Sequence, residues 1–498
     1  MTSEDVPSHV SIERFSDAVL AGVKDGARFA GVFGTAQGKD TQLTAVLARS
    51  GSLDTVETVV ATGSNRYPSL TRKIPSATWY EREIHDLFGL VPTGHPRLDP
   101  LVFPTGPRAS RPRPGSGMEA AAQLAVAPLV THVRGEGVFT ISYGPVRSGV
   151  FESVEYLVET PGEDIPHLRT RIYYKHRGVE SRFEAMSIDD GVLLAERCEG
   201  VASVAHALAF CTALEQIGDV TVSLQASLVR VLHAELERIA NHLDSTVRHT
   251  EAAGQAVAYA RLSLHKERVQ RLRAQLCGSR FGRGVVVPGG VSAAPTLGAA
   301  QLLAVLGPLE AAIEADTRLL MNTPSFLDRL RGTGVLSPQI ARSFGALGPV
   351  GRGSGVTDDV RFSRPYAAYA HLGHQLLEVR GGGDALARQR VRAQEIDGAF
   401  TLIRQAVQEL DERGEPQDGR WSARVPRLSG RAIGWAEAAQ GEVLSLVDVQ
   451  DGSLVRVKPR SASFHNLALF SSAFPRDILT DFAFIEASFG LSIAGAAG

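Results

Sequence analysis

The stretch PTGPRASRPRPGSG, residues 104–117, most constrains how this chain can fold. Pro, Gly, Ser and Arg fill it, and it lacks the recurring apolar residues of a helix or strand. A single hydrophobic core stops growing at about 250 to 300 residues, so a chain of 498 residues needs more than one core. We therefore predict a domain over residues 1–103, a linker over 104–118 and a larger domain over 119–498.

The periodicity of the apolar residues differs between the two predicted domains. Before the linker, FSDAVLAGV has helical spacing while LTAVLARS and TVETVVATG have strand character, which predicts a small α/β domain. After it, β-rich runs are interrupted by Gly144, Pro145 and Gly149, as in hairpins. From about residue 183 the spacing is helical, with a long bundle helix near 224–243 and further helices at 299–321 and 365–411. The chain then returns to strand-like runs, so the predicted fold class is α+β, a helix-bundle domain with β-hairpin and C-terminal β segments.

The composition excludes several functional classes. Lys and Arg total 52 against 54 Asp and Glu, so the net charge of −2 gives no electrostatic basis for a nucleic-acid partner. The three cysteines, Cys198, Cys211 and Cys277, are too far apart for a metal clamp, which indicates a reducing compartment and no iron–sulfur cluster held by this chain alone. No apolar run reaches the roughly 18 residues of a membrane-spanning helix. We expect a cytoplasmic chain that reaches a membrane only through partners.

One segment before the linker carries a specific resemblance. Residues 78–104, TWYEREIHDLFGLVPTGHPRLDPLVFP, resemble the signature of the small hydrophilic subunit of respiratory Complex I and of the matching part of membrane-bound hydrogenases. The matching residues are Glu81, Arg82, Glu83, Asp86, Phe88 and Gly89. A plain solvated helix end is the alternative interpretation of such a charged run.

Four later segments resemble the large subunit of nickel–iron hydrogenases and its Complex I relative. They are YYKHRGVE (173–180), HAELERIANHL (233–243), GPVGRGSGVTDDVRFSRPYAAY (348–369) and RVKPRSASFHNL (456–467). A fusion of the two subunit types is typical of the energy-converting hydrogenase branch. The resemblance implies an iron–sulfur cluster in a partner small subunit, membrane-embedded antiporter-like subunits as further partners, and a position on the cytoplasmic face of the membrane.

The nickel ligands of the family are replaced in this chain. The first Cys-x-x-Cys pair of the hydrogenases falls on Glu199 and Ala202, and the second falls on Ser492 and Gly495. A low-potential nickel–iron pair needs soft thiolate ligands, which these residues do not offer. We therefore expect no metal in this chain and no hydrogen-evolving activity, although the fold family is named for it.

The same cavity is a quinone chamber in the Complex I relative. The resemblance places Arg147 and Gly200 where that relative has a His and a Tyr in contact with the quinone headgroup. Arginine binds carbonyls and anions but does not readily release a proton. We expect Arg147, Gly200 and Ser492 to line the cavity, and Arg352 and Asp358 to line it or to pair across it.

A proton relay is the second expectation for the cavity. On a helix over residues 196–215, Glu199, Ala202 and His206 would lie at i, i+3 and i+7 and share one face. In the hydrogenases the Glu of the Arg-Gly-x-Glu element transfers protons, which implies the same role for Glu180, with His176 beside it. The alternative for Glu180 is a structural ion pair with Arg177.

Three functions remain open at this point. The preferred one is the large hydrophilic subunit of a membrane-associated, hydrogenase-related oxidoreductase complex without a nickel–iron centre, coupling electron transfer to ion translocation. The second is a quinone-chamber subunit like that of NADH:quinone oxidoreductase. The third is a non-catalytic scaffold that transmits conformational change between its neighbours.

Overall fold

The computed structural model describes residues 9–104, 114, 135, 137–147, 152–373 and 381–498. The predicted linker lies outside these residues except at its two described positions, 104 and 114. The elements of the first domain are α1 (Ile12–Lys24), β1 (Arg28–Gln37), β2 (Asp40–Ala48), β3 (Leu53–Val60), β4 (Arg66–Pro68), α2 (Thr78–Phe88) and β5 (Val91–Thr93). The first three strands form an antiparallel sheet in the order β1-β2-β3. Helices α1 and α2 both pack on this sheet, which agrees with the small α/β domain predicted from the sequence.

The larger domain begins with a hairpin sheet and continues as a helix bundle. Its elements up to the bundle's last helix are β6 (Phe139–Tyr143), β7 (Glu155–Thr160), β8 (His167–Arg171), α3 (Val179–Phe183), α4 (Ile188–Ala195), α5 (Ser203–Ile217), α6 (Leu224–Ala252), α7 (Ala256–Cys277), β9 (Val286–Val287), β10 (Gly290–Val291), α8 (Ala299–Leu320), α9 (Pro324–Leu330), α10 (Pro338–Phe344), α11 (Gly348–Arg352), α12 (Val360–Ser363) and α13 (Ala385–Arg413). The chain ends with β11 (Gly430–Ala438), β12 (Gly441–Gln450), β13 (Ser453–Arg460), α14 (Ala462–Phe470), α15 (Phe482–Phe489) and α16 (Ile493–Ala497). This architecture confirms the predicted α+β fold class.

Helix α6 is the centre of the bundle. The Ser223 hydroxyl accepts a hydrogen bond from the Ala226 N–H and so caps the start of the helix. Leu232, Leu236 and Leu243 repeat at the helical period and are buried against α7 and α13, in a core that also contains side chains of α8. The long bundle helix predicted from the sequence is confirmed. None of the helices in the described ranges is long and apolar enough to cross a bilayer.

Two predicted helices have different bounds in the structure. The helix expected over 365–411 begins at Ala385, where the Asp384 side chain caps it. The helix expected over 196–215 is wrong in its first seven residues, because α4 ends at Ala195 and α5 begins at Ser203. The reason is tertiary: the buried Glu237 carboxylate of α6 accepts the N–H groups at the start of α5.

The first domain packs directly on the C-terminal sheet, which has the order β11-β12-β13. One hydrophobic core contains side chains from α1, β1, β2 and α2 together with others from β12, α14 and α15. Buried polar contacts cross the same interface. Arg28 lies 2.7 Å from Glu442, and the Tyr80 hydroxyl lies 2.8 Å from His465 Nδ1. The two domains therefore share a core.

Candidate functional site

Glu199 lies in the turn between α4 and α5 and is almost fully buried. Its Oε2 lies 3.2 Å from His206 Nε2, and its Oε1 accepts a 2.8 Å hydrogen bond from the Ser463 hydroxyl. Ser463 belongs to α14 and comes from the segment RVKPRSASFHNL. The structure therefore brings Glu199 and His206 together, although Glu199 precedes the helix that carries His206.

The carboxylate of Glu199 fills the space beside Gly495. A Cβ added at Gly495 would lie 2.6 Å from Glu199 Cδ and 2.8 Å from each carboxylate oxygen. Real Cβ atoms do not approach other atoms so closely. Positions 199 and 495, two of the four that the resemblance aligns with nickel thiolates, are therefore in direct packing contact, and the residue at one limits the residue at the other.

Ser492 lies at the start of α16 and fixes the position of Ser463. Its backbone N–H donates a 3.0 Å hydrogen bond to the Ser463 hydroxyl, and its own hydroxyl donates to Glu152 at 3.0 Å. Glu152 also accepts from the backbone N–H of Ala494 at 2.9 Å. Since a backbone N–H does not release a proton, this chain of contacts orients Glu199 and does not deliver protons to it.

Glu180 belongs to a second buried cluster that joins the two domains. Lys458 Nζ lies 2.6 Å from Glu180 and 2.6 Å from Glu83 of α2, and Arg456 lies 2.6 Å from the other Glu180 oxygen. Arg177 donates instead to the backbone carbonyls of residues 197, 198 and 494. The alternative ion pair between Glu180 and Arg177 is therefore wrong.

The two carboxyl groups on Lys458 have opposite protonation tendencies. Burial opposes ionisation of Glu180, yet attraction by Lys458 and Arg456 lowers the pKa of Glu180 to about 2. Burial raises the pKa of Glu83 in spite of the same lysine. Of the two, Glu83 is therefore the carboxyl group that is more easily protonated, and it comes from the charged segment that resembles the Complex I small subunit.

Arg147 is engaged by a carboxylate. Its guanidinium makes a two-pronged contact with Glu486 of α15, at 2.7 and 3.1 Å, and lies over the rings of Tyr143 and Tyr156. The Tyr156 hydroxyl donates to the same carboxylate at 2.9 Å. A bidentate pair of this kind neutralises the guanidinium and fixes its orientation.

Arg352 and Asp358 belong to a different group of charged side chains. Arg352 is buried and donates to Glu395 at 2.8 Å and to Glu437 at 3.0 Å. Asp358 accepts a 2.8 Å hydrogen bond from Arg28 of the first domain. These two residues therefore pair with charged neighbours on other elements.

The remaining predicted positions lie around the end of the described chain and the α4–α5 turn. His176 Nδ1 lies 2.7 Å from the Ala497 carbonyl, and the ring meets Phe103 edge-on. Gly200 is exposed, whereas Ala202 is buried immediately before α5. Burial raises the pKa of the Cys198 thiol to about 12, so this thiol stays protonated at neutral pH.

Comparison with known proteins matches both domains to one respiratory family. Residues 18–112 match the family model of the 30 kDa subunit of respiratory-chain NADH dehydrogenase, and residues 253–427 match that of its 49 kDa subunit. The chain is a fusion of these two subunit types. The first of these matched ranges includes the charged segment in α2.

Individual relatives extend the similarity over most of the chain. Formate hydrogenlyase subunit 5 of Escherichia coli (strain K12) is 26% identical, covering 83% of this chain and 73% of the relative. The C/D subunit of NADH-quinone oxidoreductase from Rhodopseudomonas palustris (strain BisB5) is also 26% identical, covering 83% of this chain and 80% of the relative. The alpha subunit of the membrane-bound hydrogenase from Pyrococcus furiosus is 28% identical, covering 70% and 84%. The chain is thus a subunit of the respiratory oxidoreductase type.

Several site residues were not predicted from the sequence. Ser463, Lys458 and Arg456 lie in a segment that the resemblance marks, but it gives no individual partners. Glu152 and Glu486 carry no sequence signal beyond their nearness to other matched segments. Among the residues that the structure describes, no group of three or more His, Cys, Asp or Glu side chains is arranged to hold a metal ion.

Proposed function

We propose that the chain is the large hydrophilic subunit of a membrane-associated, hydrogenase-related oxidoreductase complex that works without a nickel–iron centre. Its partners would be an iron–sulfur subunit and ion-translocating membrane subunits, and it would sit on the cytoplasmic face of the membrane. In this complex the chain couples electron transfer in the partner to proton movement. The observation that carries the proposal is the Glu199 carboxylate, packed against Gly495 and bonded to His206.

The residues at the former ligand positions do not fit a nickel–thiolate centre. Glu199, Ala202, Ser492 and Gly495 provide one carboxylate and one hydroxyl, and that hydroxyl already contacts Glu152. The closeness of Glu199 to Gly495 leaves no room for a cysteine side chain at 495 without movement of the carboxylate. We therefore assign no step to a metal.

The chemistry available to the Glu199 pair is proton transfer. One proton can lie on Glu199 Oε2 or on His206 Nε2, which are 3.2 Å apart and both buried. Ser463 donates to the other carboxylate oxygen and so keeps Oε2 directed at the imidazole. A change in nearby charge would shift the proton between these two atoms, because electrostatic interactions are strong at buried sites.

The geometry gives less support to the quinone-chamber function. Arg147, at a former headgroup position, is held by Glu486 in a bidentate pair, and Gly200 is exposed. A headgroup carbonyl would have to compete with a carboxylate for the same guanidinium. If the native complex binds quinone, the quinone-chamber function becomes the better supported of the two.

The test uses the native complex purified from membranes, with its partners, carrying Glu199→Gln. We expect electron transfer from the reduced complex to its acceptor to slow by about 100-fold or more, the typical contribution of a general acid or base. Glu81→Gln is the matched control, since Glu81 is also buried but its bonds to Ser69, Leu70 and Thr71 lie within the first domain. If the Glu199 variant keeps full turnover and full ion movement, the chain acts as a scaffold and the proposal fails.

Metal analysis of the same preparation gives an independent result. Nickel in stoichiometric amounts, with hydrogen evolution, would contradict a complex without a nickel–iron centre. We expect neither, since Glu199, Ala202, Ser492 and Gly495 replace the thiolates.

A further inference from the structure

A cluster of seven ionisable side chains lies buried outside the Glu199 site, between α6, α11, α12, α13 and β11. Three are arginines and four are acids: Arg238, Arg352, Arg361, Glu235, Asp359, Glu395 and Glu437. Each is at most 4% exposed. Guanidinium groups stay protonated in proteins, so three fixed positive charges face four carboxyl groups. Three guanidinium groups can neutralise three of the four carboxylates, so one acid has no counter-charge within the cluster. A buried charge that is not neutralised is costly.

Arg392 of α13 also attracts Glu395, but its guanidinium donates to the backbone carbonyls of residues 388 and 488 rather than to a carboxylate of the cluster. The uncharged groups around the cluster supply no positive charge. His242 Nε2 lies 2.8 Å from Glu395, and burial lowers the pKa of His242 to about 4, so the ring is neutral at pH 7. Tyr369 donates its hydroxyl proton to Glu235, and the Tyr366 hydroxyl accepts the Glu437 N–H. Burial raises the pKa of both tyrosines, so they remain neutral as well.

Three of the four acids are well neutralised. Asp359 accepts two hydrogen bonds from the guanidinium of Arg361, at 2.7 and 3.0 Å. Glu235 lies 3.0 Å from Arg238 and 3.2 Å from Arg361. Glu395 lies within 2.8 Å of two nitrogens of Arg352.

Glu437 has the weakest counter-charge of the four. It accepts one guanidinium N–H, from Arg352 at 3.0 Å, and its other oxygen accepts the backbone N–H of Val360 at 3.2 Å. The Arg352 nitrogen that it contacts also faces Asp359 at 3.5 Å. The Arg352 guanidinium is therefore shared between Glu437 and Asp359, and the Asp359 carboxylate repels that of Glu437.

We propose that Glu437 is a buried proton-binding site, which takes up a proton because it shares its guanidinium contact with Asp359 while the other three carboxylates of the cluster are paired more closely with the arginines. Burial, and then repulsion by Asp359, raises the pKa of Glu437 to about 7. The proton exchanges near neutral pH, so a modest change in the electrostatic potential around the cluster changes its occupancy. This site is separate from the Glu199 pair, and it does not depend on the proposed function.

The experiment is an infrared titration of the full-length chain from about pH 5 to about pH 9, a range that brackets a carboxyl group raised from its ordinary value. The expected signal is the carbonyl stretch of a protonated carboxylic acid, lost as the pH rises through neutrality. In Glu437→Gln the component of this band with a midpoint near neutral pH should be lost. In Glu442→Gln it should persist, because Glu442 is equally buried but contacts Arg28, Arg364 and Arg460.

A third variant separates loss of the site from loss of the fold. Glu437→Asp retains a carboxyl group, so the band should remain with a shifted midpoint. The proposal is overturned if wild-type protein shows no such band near neutral pH, or if the band keeps its full intensity in Glu437→Gln. Failure here leaves the Glu199 proposal standing, since the two tests use different residues and different signals.

Discussion

A single added methyl group at Gly495 tests the packing of the candidate site. In Gly495→Ala the new Cβ would lie 2.6 Å from Glu199 Cδ, so the carboxylate or the short helix α16 must move. Overpacking of this kind costs about 1–3 kcal/mol. The change from Gly to Ala in a helix returns at most about 1 kcal/mol. We therefore expect a net loss of about 0–2 kcal/mol, increased by about 1 kcal/mol for each hydrogen bond that Glu199 loses.

A double-mutant cycle isolates the contact. Glu199→Ala removes the obstructing carboxylate, so Gly495→Ala should cost less in that background by about 1–3 kcal/mol. The assay is thermal unfolding of the full-length chain by circular dichroism, where 1 kcal/mol corresponds to about 2 °C for a large domain. Gly398→Ala in α13 is the matched control, because its added Cβ has no neighbour within 4 Å and should raise the melting temperature. Equal shifts for the two glycine variants, with additive effects in the cycle, would refute the packing argument.

Two further variants probe the interface between the domains. Lys458→Met leaves Glu83 and Glu180 buried without their shared lysine, so stability at neutral pH should fall by about 3–5 kcal/mol. Denaturant titrations at several pH values measure this loss, which should shrink as the pH falls towards about 5, because protonation of one carboxyl group removes the repulsion between Glu83 and Glu180. A loss of stability that does not depend on pH would contradict the role given to Lys458. Tyr80→Phe removes the hydrogen bond to His465 Nδ1 and should cost about 1–3 kcal/mol in thermal unfolding, whereas an unchanged melting temperature would show that the bond contributes nothing.

The sequence predicts the elements better than it predicts their ends. The long helix α6 follows from apolar residues at the helical period, and β12 and β13 follow from short strand-like runs. The ends of α4 and α5 could not be predicted in this way, since Gly200 disfavours a helix in the turn but no proline or helix-capping side chain there locates either end. A carboxylate from α6, distant in sequence, caps the start of α5. Tertiary capping of this kind leaves no local pattern.

The sequence identifies individual residues of the candidate site, but it does not identify which side chains they contact. The replaced thiolate positions identify Glu199, and the helical spacing associates it with His206, although the structure joins them across a turn. The alternative for Glu180 was an ion pair with Arg177, but Lys458, 278 residues further along the chain, forms the ion pair with Glu180 instead. Pairing of charges over such separations depends on how the domains dock, which composition and periodicity do not encode.

The interface between the domains has a consequence for the covalent join itself. Arg28 with Glu442, Lys458 with Glu83, and Tyr80 with His465 are buried pairs inside one continuous core. Separating the halves would expose that core and leave each charge without its partner. A cut in the backbone between the domains would therefore leave a tight two-fragment complex. What the fusion contributes is fixed one-to-one stoichiometry and a high effective concentration of one half for the other during folding.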